Sequence, residues 1–111
     1  MAQRIAVPEQ YVETLAPLGP LEETVNLALR RYAVEQITSR IVELAQRDRD
    51  FQAKYGCDYE TFTERTASDE KFVQEIEATV SKTWELDLAE WEFCHEGVTD
   101  WTQRLETILL T

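Results

Sequence analysis

The chain has 111 residues and a mass of 12.9 kDa, the size of one domain, and folding at this length hides roughly 65% of the unfolded surface, which allows one modest core. A hydrophobic content of 43% with eleven aromatics argues against wholesale disorder. The net charge of −11 and pI near 4.4 repel phosphate backbones and anionic membranes, which argues against a wholly nucleic-acid-binding protein.

Arg4-Ile5-Ala6-Val7 alternates with Ile5 and Val7 on one face and is stopped by Pro8, so a brief strand is expected there, followed by a helix over about Pro8 to Ala16. Pro17-Leu18-Gly19-Pro20 breaks that helix. From Leu21 to Tyr55 apolar residues recur at threes and fours without Pro or Gly, which predicts one long helix whose outer face carries Arg30, Arg31, Glu35, Arg40, Glu43, Arg47 and Arg49. Glu43 and Arg47 have the favoured order for an i,i+4 pair. Gly56 is the expected C-terminal cap, Asp58 the cap of a short helix from Tyr59 to Thr66, and Ser68 the start of another that ends near Thr83. Trp84-Glu85-Leu86-Asp87-Leu88 alternates like a strand, but Leu88, Trp91, Cys94, Val98, Trp101, Leu105 and Ile108 form a helical stripe, so Trp84 to Leu110 is read as helix. Gly97 is a candidate break, with Thr99 able to recap. The expected fold class is mainly all-α, with a short N-terminal strand, a long helix and a C-terminal helical region.

Charge divides the chain more sharply than any loop. Residues 1–55 hold seven Lys/Arg against eight Asp/Glu, and residues 56–111 hold four against fourteen. Residues 1–55 are read as one near-neutral module and residues 56–111 as an acidic partner-binding region, the two continuous in one compact unit. No cation falls between Lys82 and Arg104, where Glu85, Asp87, Glu90, Glu92, Glu96 and Asp100 accompany Trp84, Trp91 and Trp101. Glu92 and Glu96 lie one helical turn apart, a repulsion of ~0.3 kcal/mol that a basic partner relieves. Tryptophan is enriched among residues that dominate binding energy, so these nine residues form a candidate partner-binding surface. Against it stands the reading that a charge run is a solvated face and the tryptophans are core.

The strand, the helix from Pro8, the turn at Gly19 and the stretch Leu21-Glu22-Glu23-Thr24-Val25-Asn26-Leu27-Ala28-Leu29-Arg30-Arg31-Tyr32 resemble the ribbon-helix-helix fold over roughly the first 35 residues. That resemblance implies a homodimer or higher oligomer with paired strands that reads operator DNA through Arg4 and Gln3. Arg4 is on the outward face, whereas Gln3 shares the inward parity. The sequence departs from that fold at the second helix, where Pro20 removes a donor amide and Glu22 and Glu23 place negative charge beside the position that anchors phosphate. Joined to an acidic helical tail, the architecture resembles the antitoxins of toxin-antitoxin systems. By that resemblance the protein neutralises a basic toxin, commonly an RNase, and binds its own promoter. The alternative is a non-catalytic structural or assembly protein forming a dimeric helical bundle.

Enzymatic signals are sparse. Glu92-Phe93-Cys94-His95 contains a Glu-x-x-His, but one copy falls short of a di-metal bundle. A single histidine, three glycines and no phosphate loop or nucleophile elbow point away from catalysis, and neither a cofactor nor a metal is expected. Cys57 and Cys94 lack metal-ligand spacing and are read as free thiols, one bridge being the alternative. With no run of eighteen apolar residues and no apolar h-region at the start, a cytoplasmic protein is expected.

Overall fold

The computed structural model describes residues 6–110. In chain order they form α1 (Glu9–Leu15), a 3-10 turn (Ala16–Leu18), α2 (Leu21–Tyr55), α3 (Tyr59–Ser68), α4 (Glu70–Thr79) and α5 (Trp84–Leu109). Two units are distinguished, the first ending at Glu35 and the second beginning at Gln36. The division falls within α2.

The mainly all-α expectation holds, but no strand occurs among the described residues. Ala6 and Val7 belong to no regular element, while Arg4 and Ile5 lie outside the described residues. A lone strand in a single chain has no ladder to satisfy its amides and carbonyls, and Pro8, at φ −55° and ψ 139°, leads directly into α1.

In the first unit, Pro17 sits at the start of the 3-10 turn, where its missing N–H costs no hydrogen bond. Gly19 follows at φ 140°, a conformation an L side chain rarely adopts, and so lets the chain reverse into α2. No described residue up to Glu35 is buried. Tyr11, Leu18, Leu27, Leu29 and Tyr32 are each more than half exposed.

The second unit holds the core. Gly56 ends α2 in the left-handed region at φ 74°, its N–H donating to the Gln52 carbonyl at 2.8 Å. Asp58 caps α3 as expected, accepting from the Thr61 N–H at 2.8 Å. The next cap is Asp69 and not Ser68. Ser68 is the last residue of α3, its hydroxyl donating back to the Glu64 carbonyl, while the Asp69 carboxylate accepts from the Phe72 N–H at 3.1 Å. A carboxylate gains more than a hydroxyl from the positive end of a helix. α4 closes at Thr79, short of Thr83, and Thr83 instead accepts the first backbone bonds of α5.

α5 runs through Gly97 without a break, so Thr99 recaps nothing. A Cβ at Gly97 would lie 2.8 Å from Leu44 Cδ1, and Leu44 is almost fully buried. The glycine therefore serves close approach of α5 to α2, not interruption of a helix. The aromatic core gathers Tyr55 from α2, Phe62 from α3, Phe72 and Ile76 from α4, and Trp91 from α5. Phe62 and Trp91 are wholly buried, with ring centroids 5.3 Å apart. Burying each such side chain contributes roughly 1.5–3 kcal/mol, and well-set aromatic pairs add about 0.5–1.5 kcal/mol.

Candidate functional site

The nine residues proposed for partner binding all lie on α5, and the helix deals them to opposite faces. Its buried face follows the stripe through Trp91 and Cys94. Trp91 is fully buried, and its indole Nε1–H donates to Asp48 Oδ1 at 2.6 Å. Trp84 is half-buried against the core, its Nε1–H donating to Glu77. Trp101 is half-buried and carries the Arg104 guanidinium over its ring at 4.5 Å. Trp91 thus belongs to the core and Trp84 to its margin, so neither is the open anchor expected from composition.

Two of the six carboxylates already have cations of the same chain. Asp87 Oδ2 lies 2.6 Å from Lys54 Nζ and also accepts from the Tyr55 hydroxyl. Partial burial works against ionisation of Asp87, but the bonds from Lys54 and Tyr55 and the Lys54 charge outweigh it, so its pKa sits below the ordinary value. Burial, reinforced by the bond to Asp87, pushes the Tyr55 phenol well above its ordinary pKa. Glu90 pairs with Arg47. Arg47 is thereby drawn away from the local pair expected with Glu43, which lies 3.9 Å from Arg40 instead. These pairings join residues 33 and 43 positions apart, a separation at which helical spacing carries no signal.

Glu85, Glu92, Glu96 and Asp100 remain exposed, and none forms an ion pair within the described residues. They share one outward face with Ala89 and with Leu86 and Phe93, which are 72% and 61% exposed. Positions 85, 89, 92, 96 and 100 recur at threes and fours, as a single helical face requires. Leu86 and Phe93 fall off the buried stripe, and that offset was the available signal for an apolar pair facing outward. The face sets separated negative charges along the helix with an exposed apolar pair beside them.

His95 is the other organised polar group. Its Nδ1 lies 3.0 Å from Asp48 Oδ2 and its Nε2 lies 2.8 Å from Glu60 Oε1, so one imidazole spans α2, α3 and α5. Tyr59 stacks on the ring with centroids 4.7 Å apart. Burial disfavours the imidazolium, but the bonds and charges of Asp48 and Glu60 outweigh that effect and raise the pKa above its ordinary value. Glu92 faces solvent while both ring nitrogens of His95 are engaged, so the Glu-x-x-His spacing does not converge on a metal. No group of three His, Cys, Asp or Glu able to hold a metal occurs among the described residues. Cys57 and Cys94 are free thiols, and burial raises the pKa of both. Arg4 and Gln3, the expected DNA-reading residues, lie outside the described residues. No described helix is long and apolar enough to cross a membrane.

Comparison of the chain with protein-family models, with curated proteins and with solved structures gives no match.

Proposed function

We propose that the outward face of α5 docks a basic protein, in the manner of an antitoxin that occupies the cationic groove of a toxin such as an RNase. The observation that carries this reading is the set Glu85, Glu92, Glu96 and Asp100, exposed and without an ion pair within the described residues, beside exposed Leu86 and Phe93. Asp87, Glu90 and Trp91 belong to internal contacts, so the surface is smaller than composition implies. Carboxylates spaced along a helix can stand where RNA phosphates would bind, and an adjoining apolar pair limits water at that edge of the contact. The operator-binding half of the expectation gains no support, because its strand is absent among the described residues.

Co-expression with the product of an adjoining basic open reading frame tests the reading. A stable complex that relieves growth arrest is expected. Glu85→Lys, Glu92→Lys and Glu96→Lys together should weaken it by about 3 kcal/mol, near a hundredfold in Kd measured by calorimetry. Unchanged affinity in that triple variant would remove the face from consideration. The structural or assembly reading has its own support in the unburied first unit.

A further inference from the structure

Glu23, Leu27 and Arg31 form one i, i+4, i+8 ridge on the first part of α2. All three are exposed, Leu27 by 67%. Leu27 borders two shallow grooves, one lined chiefly by Leu15, Leu18, Ala28 and Tyr32 with Arg31 and Glu35 at its edge, the other by Arg30, Arg31, Val34 and Glu35. A seven-residue helix and a turn set against one longer helix, with no buried residue between them, leave this unit short of the tertiary packing that stabilises helices. An occupant for the ridge is therefore needed, and the ridge's own charges select it.

Glu23 and Arg31 are separated by eight residues, roughly 12 Å along the helix axis, too far to pair with one another. Neither forms an ion pair within the described residues. A two-fold axis through Leu27 reverses the ridge of a second copy. Leu27 then meets Leu27, and each Glu23 meets Arg31 of the other copy. A parallel arrangement would instead set Glu23 against Glu23. Charge over the whole chain favours the same place: residues up to Glu35 hold three Lys/Arg against five Asp/Glu, whereas those from Gln36 hold eight against seventeen. Two copies thus meet least repulsion through the first unit.

We infer that a second copy of this chain covers the ridge, α2 against α2 and antiparallel, with Leu27 on the two-fold axis and Glu23 paired to Arg31 of the second copy. The contact is isologous, so each charge pair occurs twice. It needs no N-terminal strand.

Sedimentation equilibrium of the full chain at roughly 100 µM, above the Kd expected even of a small stable interface, should return a dimer. Glu23→Arg or Arg31→Glu alone should weaken the dimer about tenfold or more, because each creates two like-charge contacts. The double variant Glu23→Arg/Arg31→Glu recreates both pairs and should return to within about threefold of wild type. Far-UV circular dichroism at matched helicity shows that the variants fold. A monomeric wild type, single variants that associate as wild type, or a double variant no stronger than the singles would each overturn the assignment.

Discussion

His95 lies between two carboxylates, and this makes its contribution to stability a function of pH. The protonated ring donates to both Asp48 and Glu60, whereas the neutral ring has one N–H and must leave one carboxylate without a donor. Because the folded pKa is raised, the stabilisation is fully present below the unfolded value near 6.5 and is lost as pH rises through the folded value. Urea midpoints of wild type should fall from about pH 6.5 upward, and those of His95→Gln should not follow that decline. Asp87 works in the opposite sense. With its pKa depressed, its stabilisation is present above an unfolded value of about 3.9 and disappears as pH falls through the folded one.

At the scale of the elements, caps and faces decide the architecture. Asp69→Ala should lower stability by about 1 kcal/mol, since it orphans the Phe72 N–H, while Ser68→Ala should change it by no more than a few tenths. Urea denaturation of the two variants separates the caps. Both residues suit the role, so the sequence alone could not choose between neighbours. The long helix from Leu21 to Tyr55 was legible because thirty-five residues without Pro or Gly repeat one apolar spacing. Gly56 and Asp58 were legible because their backbone roles are local. The strand expected before Pro8 is not seen at Ala6 and Val7, the part of it within the described residues, since alternation over four residues says nothing about a partner for its backbone. Gly97 was open to misreading for a related reason: a glycine that breaks a helix and a glycine that admits Leu44 look alike until the opposing helix is in place. The candidate site was half legible. Its carboxylates were evident, but pairing of Asp87 with Lys54 and of Glu90 with Arg47 depends on how α2 lies along α5. Trp91 drew attention as an anchor and is instead core.

For the whole molecule, the unequal distribution of buried residues matters most. Among the described residues every buried side chain lies from Ile37 onward, although α2 itself begins at Leu21. Amide exchange should therefore change along a single helix. Amides of α2 before Glu35 should exchange sooner in dilute solution than those after Ile37, with the difference shrinking as concentration rises. Mass-spectrometric hydrogen exchange at two concentrations measures this directly. All three tryptophans, Trp84, Trp91 and Trp101, stand in the second unit. Indole emission is consequently blind to loosening of the residues before Gln36, which only helicity can register. A thermal melt followed by fluorescence will describe the second unit alone, and a melt followed at 222 nm will begin earlier, the two curves parting wherever the N-terminal helices come undone first.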